Sequence, residues 1–530
     1  MRRFRLRFVL LILVSFFAAI TIFQIVSGAV EAAFGAYPDE PYHFASALMI
    51  RDWVREGCRT PPLEFAQAYY QSRPAFAVGY WPPLFYVIEA AWLLIFEPSR
   101  ASALALIALF GATLLAALCL VVWRTRGPVA ALAASAGLAL APIFGWSLQV
   151  VMTDLALALT SFAAVVAWGW YLEREKTAAA CAAGLLAAAA LLTKTAAVHL
   201  APAFVLSALL VGGIKIFRKP ATYLPLAITL VLCGPWYAYA WDFLDRGLLP
   251  EGHRPNALAA GVWALEEFVR AAGPFWIALA VCGAWFALRR RDPLWTVAAF
   301  QIVSLVALII AAPVNIDTRY FLPALPALIA LGTEGAFGIA AAWARRRDRP
   351  ATARPAALAA LSLVALTGLA MPAHWVDSSR SAGAADASAL LVHRTPRDAR
   401  VLIVGSSIDG PLVVQAILEE GNWPGRTFLR ATKVLVDMDW NGRSYRMLAD
   451  SEEEVLGKLE RLGVQGVLID LRADPYERPH RELVWKALRH SSRWKLAGSF
   501  GKTGADYQVF VPKGFDAAAA RSTALDAQLR

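Results

Sequence analysis

Charge is scarce in this sequence. Asp, Glu, Lys and Arg make up 17% of its 530 residues, where soluble globular chains carry about 25%. That shortage excludes an ordinary soluble globule for most of the chain. The five cysteines (Cys58, Cys119, Cys181, Cys233, Cys282) show no CxxC or zinc-ligand spacing, and four lie inside apolar runs. Neither a disulfide framework nor a metal cluster is indicated. The charge that is present leans positive, with a formal net charge of +11. Its Arg and Lys clusters fall between apolar runs, so they read as topology signals rather than a nucleic-acid surface.

Hydrophobic residues are plentiful, at 58% of the chain, and they sit in long runs before about residue 372. The expected fold is a polytopic α-helical membrane protein with a small C-terminal α/β domain. Residues 1–372 form the membrane part, and 373–530 a soluble domain with a disordered C-terminal tail. A helix needs about 20 apolar residues to cross the hydrocarbon core. Eleven runs approach that length, near 8–30, 101–123, 128–149, 155–172, 177–193, 196–214, 221–241, 273–288, 294–313, 320–343 and 355–372. The first is longer than a signal-peptide core and is read as an uncleaved span.

A twelfth run, 82–96, begins with two prolines and carries Glu89. If it does not span, all the Arg/Lys clusters from Arg2–Arg7 to Arg345–Arg347 fall on one side; if it spans, the first cluster is split from the rest. It is therefore read as an interfacial helix inside a long outer loop, 31–100. The N-terminus is then cytoplasmic and the C-terminal domain extracytoplasmic, in the inner membrane. Asp39, Glu40, His43, Asp154, Lys194, His199 and Arg319 all fall at or near outer ends of spans. Lys194 and Arg319 run against the positive-inside trend. Charged residues at or inside a membrane are expensive, and functional by default.

Each of these residues also has a plain structural reading. Pro38-Asp39-Glu40-Pro41 begins a helix, with His43 one turn on, so Asp39 could be an N-cap. Thr153 or Asp154 could cap the next span, Lys194 could snorkel, and Arg319 could anchor a span end. His199 suits a buried hydrogen-bonding histidine. Two acids and two bases on one face nevertheless suit glycosyl transfer from a polyprenyl phosphate. Cations stabilise the charge growing on the phosphate leaving group. A carboxylate takes the acceptor's hydroxyl proton, and a single in-line displacement inverts the anomeric centre. A second carboxylate orients the acceptor, or Asp39 and Glu40 hold a divalent metal ion, the one cofactor left open.

The motifs PDEPYHF, YWPPLFY, VMTDLALAL, LLTKTAAV, GPWY (Gly234–Tyr237) and DTRYFLPALPAL occur in that order over most of residues 1–340. This ordered set resembles the GT-C superfamily of lipid-carrier-dependent glycosyltransferases. The nearer branch holds the protein O-mannosyltransferases, the lipid A aminoarabinose transferases and the Rgt-type lipopolysaccharide-core sugar transferases. The resemblance implies that Asp39 is the catalytic base, with Asp154, and Glu40 beside Asp39, completing the catalytic set. It implies that Arg319 contacts the carrier phosphate, with Lys194 and Arg73 as further phosphate candidates. His43, Tyr80, Trp81 and His199 would support the site or the acceptor. The implied partners are a polyprenyl-phosphate sugar donor, a lipid, glycan or protein acceptor, and membrane lipid, with no nucleic acid. One departure stands out: aminoarabinose transferases carry Glu-Lys before the proline pair, where this chain has Tyr80-Trp81. Tyr69, Tyr70, Phe76, Tyr80, Trp81, Phe85 and Tyr86 read either as a stacking wall or as an interfacial aromatic belt.

In the C-terminal part, Arg400–Gly405 and Val464–Asp470 read as strands, Pro411–Glu420 and Glu452–Leu462 as helices, and Tyr507–Val511 as a last edge strand. VLIVGSSIDG lacks the GxGxxG spacing of a dinucleotide turn. Asp437-Met438-Asp439 is a DxD in a domain placed away from sugar nucleotides. The competing functions are a secondary transporter, which Glu334 within the tenth run favours, and a polyprenyl-diphosphate-dependent glycan ligase.

Overall fold

The computed structural model describes residues 6–76, 79–244, 254–312, 314–347, 350–370, 375–377, 381–405, 409–421, 423–438, 445–473 and 478–514. The disordered tail expected at the C-terminus and Asp439 of the DxD lie outside these residues. All eleven apolar runs are helical where described. Among the described residues, seven helices are long and apolar enough to cross a membrane, or eight if the bent pair Ala257–Ala272 and Pro274–Arg290 is one span. The runs at 128–149, 177–193 and 355–372 give shorter apolar helices. Pro142 interrupts the first of these, and an extended Lys194 ends the second. The run at 82–96 becomes a helix of 12 residues, Leu84–Ile95.

Contacts group the chain into two units that do not follow its order. One comprises Met1–Val26, Gly79–Ile88 and Leu104–Trp375. The other comprises Ser27–Val78, Glu89–Ala103 and Val376–Arg530. Most of the outer loop, expected as part of the membrane domain, thus packs with the C-terminal α/β domain.

The helical unit is held by close backbone packing as well as by bulk. Helices Pro274–Arg290 and Leu325–Arg346 touch through Gly283 and Gly335. A methyl group on Gly283 would stand 1.9 Å from the Leu331 carbonyl oxygen, and one on Gly335 2.0 Å from that of Leu279. Small residues at such crossings let helices approach where hydrophobic burial supplies little drive.

The second unit is built on a five-stranded sheet. Its strands are β1 (Arg400–Val404), β2 (Thr427–Arg430), β5 (Val464–Asp470), β6 (Trp494–Phe500) and β7 (Tyr507–Pro512); β3 (Val436–Asp437) and β4 (Arg446–Met447) pair separately. The order is β2-β1-β5-β7-β6, with β1 parallel to β2 and β5, and β7 antiparallel to β5 and β6. The segment expected as the edge strand, β7, is therefore interior. The edge is β6, whose Lys-, Gly- and Ser-containing stretch WKLAGSF carries little strand signal. The run VLIV of β1 is buried on both faces, and its Leu402 and Val404 pack with Val467, Ile469 and Phe510 in one core cluster.

The outer-loop helices Glu40–Arg55 and Pro62–Ser72 join this unit through a buried charge network. Arg73, with no exposed surface, donates to Glu420 at 2.9 Å and stands 3.6 Å from Asp52. Asp52 also holds Arg51 and accepts from the Tyr69 hydroxyl at 3.1 Å. The Arg73 guanidinium lies 5.6 Å from the ring centres of both Tyr69 and Trp423. Tyr69 and Phe76 are buried here, so these two aromatics pack as core rather than as a wall for a sugar.

Candidate active site

In the helical unit, the centre of the site is Asp154. It is the first residue of helix Asp154–Arg174, where the N-terminal end of the helix dipole favours a negative charge. Thr153, at the cap position, makes no side-chain capping bond. The Asp154 carboxylate is 1% exposed and faces two cations. Lys194 Nζ donates to Oδ1 at 2.7 Å, and Arg319 Nη1 stands 3.5 Å from Oδ2. Burying such a cluster is costly without close charge pairing. Lys194 and Arg319 are therefore neither a snorkelling side chain nor a simple span anchor.

Local structure explains why these side chains converge. Lys194 occupies an extended break between helix Thr177–Leu191 and the 3-10 turn Thr195–His199. That break is pinned from two sides. Leu84 N–H, in the YWPPLFY motif, donates to the Leu192 carbonyl at 2.9 Å. The Tyr237 hydroxyl, from GPWY, donates to the Leu191 carbonyl at 2.8 Å. Arg319 lies in a 3-10 turn capped by Asp317, whose Oδ1 accepts the Arg319 N–H at 3.1 Å. Asp317 also stands 3.5 Å from Arg319 Nε. Tyr320, absent from the expected set, puts its ring 4.9 Å from Lys194 Nζ and 5.1 Å from the Arg319 guanidinium. It shields both cations through its π face. Its position next to Arg319 was the available signal.

Tyr80 and Trp81 pack edge to face at 5.2 Å. His199 is buried, and its Nδ1–H donates to the Ala196 carbonyl at 2.7 Å. That is the hydrogen-bonded core histidine of the plain reading. Glu334 is paired with Arg126, whose Nε donates to it at 2.8 Å. A neutralised Glu334 no longer argues for a transporter.

The remaining expected residues belong to the second unit. Asp39 is half-buried at the start of helix Glu40–Arg55 and makes no side-chain bond to the helix N-terminus. Its carboxylate is thus not an N-cap. His43 follows on the same helix and is buried. Glu40, beside Asp39, is enclosed. It has no exposed surface, accepts Gly35 and Ala36 N–H at 3.0 and 3.1 Å, and takes Arg100 Nε and Nη2 at 3.1 and 2.9 Å. With both oxygens bonded twice, Glu40 is a structural anchor of the loop. Arg73 is likewise enclosed by Glu420 and Asp52. Among the described residues, no group of three or more His, Cys, Asp or Glu could hold a metal ion.

The fold is that of a multi-pass, GT-C-like membrane protein. Residues 81–239 match the family model of the dolichyl-phosphate-mannose-protein mannosyltransferases. That segment contains Asp154, Lys194 and Tyr237 and leaves Asp39 and Arg319 outside. No curated protein sequence matches the chain. Among solved structures, ArnT from Cupriavidus metallidurans bound to undecaprenyl phosphate superposes with a TM-score of 0.61 at 15% identity, covering 94% of this chain and 97% of its own. Its apo state gives the same figures. The archaeal oligosaccharyltransferase AglB from Archaeoglobus fulgidus, in complex with an inhibitory peptide and a dolichol-phosphate, gives 0.50 at 12% identity over 86% of this chain and 69% of its own.

Proposed function

We propose that this protein transfers a sugar from a polyprenyl-phosphate-linked donor to a lipid, glycan or protein acceptor on the extracytoplasmic face of the inner membrane. The observation that carries this reading is the Asp154 cluster, where two cations face one buried carboxylate. Lys194 and Arg319 receive the donor phosphate and stabilise the charge left on it as the glycosidic bond breaks. Asp154 orders the two cations. Asp39, whose carboxylate does not cap its helix, takes the acceptor proton. Attack opposite the departing phosphate inverts the anomeric centre. The matched family segment and the fold shared with an undecaprenyl-phosphate complex support this assignment.

The test is turnover by the purified full-length protein with a panel of undecaprenyl-phosphate-linked sugars, the product's anomeric configuration being read by NMR. Transfer with inversion is expected. Turnover of nucleotide sugars alone, or retention of configuration, would overturn the proposal. Cysteine labelling at positions 39, 154 and 319 from the outer face tests the orientation.

A further inference from the structure

A cavity of about 280 Å3 opens at the arginine-bearing ends of the helical unit, apart from the Asp154 cluster. Arg126, Phe286, Arg290, Asp292, Trp295 and Glu334 line it. Both acids are engaged. Glu334 takes Nε and Nη2 of Arg126, and Asp292 caps helix Pro293–Ala311 through the Trp295 N–H at 3.3 Å. Arg126 keeps Nη1 for another acceptor. Arg290 is exposed, makes no ion pair among the described residues, and rests 5.6 Å from the Phe286 ring centre. The charges of the lining balance, two guanidinium groups against two carboxylates, yet Arg126 Nη1 and the Arg290 fork are left as donors between two aromatic walls. Arg291 and Arg345–Arg347, at the ends of the same or adjoining helices, add positive field.

We infer that this cavity binds the phosphodiester headgroup of an anionic phospholipid from the adjoining leaflet. Guanidinium forks match phosphate oxygens, and basic pockets between membrane helices on the arginine-rich side take such headgroups. Phe286 and Trp295 suit the glycerol and first acyl carbons, which a free anion would not need. A choline headgroup would bring a second cation against Arg290 and is disfavoured. The inference does not depend on the glycosyl-transfer reading.

The experiment is native mass spectrometry of the full-length protein in neutral detergent. It is titrated separately with phosphatidylglycerol and with phosphatidylcholine, and inorganic phosphate is added as a competitor. Phosphatidylglycerol should bind at least tenfold more tightly than phosphatidylcholine and survive inorganic phosphate. Arg290→Gln, at an exposed position that leaves the fold intact, should weaken phosphatidylglycerol binding about tenfold, in line with losing one charge-assisted hydrogen bond. Arg289→Gln, whose side chain rests on Trp285 at 4.2 Å instead, should leave it unchanged. Equal loss in both variants, no loss in Arg290→Gln, no preference between the lipids, or displacement by inorganic phosphate would each overturn the inference.

Discussion

Glu40, in the unit that combines the outer loop with the sheet, and Asp154, in the helical unit, are both buried carboxylates that meet an arginine. They meet it differently. Glu40 accepts four bonds between 2.9 and 3.1 Å, two from backbone and two from Arg100. Asp154 has a lysine at 2.7 Å and an arginine held at 3.5 Å. The first arrangement is saturated and fixes a loop. The second sets one acid against two cations. Burial and charge alone do not mark a functional residue; the closeness and completeness of its pairing do.

That contrast can be broken by experiment, and the largest effect is expected beside Glu40 itself. Asp39→Asn should lower transfer by about 10^2–10^4-fold, the usual contribution of a general base, with an unchanged thermal midpoint. Full activity in that variant would remove the assigned base. Arg100→Gln should act on the fold instead, because it strands Glu40 as a buried charge. A loss of about 3–5 kcal/mol is expected, read as a lower denaturation midpoint of the solubilised protein; a stable variant would refute the anchoring role. Arg319→Ala should raise the donor KM about tenfold, the scale of one hydrogen bond to a charged group, and leave the acceptor KM in place. Equal shifts in both constants would make Arg319 a structural residue like Arg100.

The smallest effect concerns Glu89, which is fully buried near Glu40, with no hydrogen-bond partner for either oxygen among the described residues. Burial, and then the charge of Glu40, push its carboxyl up to about 8 from 4.5. A raised carboxyl pKa means that the folded state holds a proton the unfolded chain has released. The associated stability is complete below about pH 4.5 and is lost as pH rises through about 8. Glu89→Gln should therefore flatten the decline of the thermal midpoint between pH 5 and 9 and raise it at the alkaline end. An unchanged slope would show that Glu89 is not the titrating group.

The helices were legible because apolar runs report burial in lipid directly. The convergence of Lys194 and Arg319 on Asp154 was foreshadowed by cations that interrupt the apolar pattern at span ends. The surroundings of Glu40 were hidden because its partner, Arg100, lies 60 residues away. Those of Arg73 were hidden likewise, since Glu420 is 347 residues distant. β6 escaped because an exposed edge strand has no buried face to impose alternation. The break at Lys194 was visible only as a motif; the bonds from Leu84 and Tyr237 that fix it belong to tertiary structure.

The pairing of Arg73 with Glu420 also sets an order of events. Ribosomes deliver the loop near residue 73 long before they deliver residue 420, and domains generally fold as units as they are completed. The loop's guanidinium must wait, hydrated, until most of the polypeptide has been synthesised and inserted. Its final geometry thus becomes a late step of biogenesis, and premature termination before residue 420 would leave Arg73 with Asp52 alone as its countercharge.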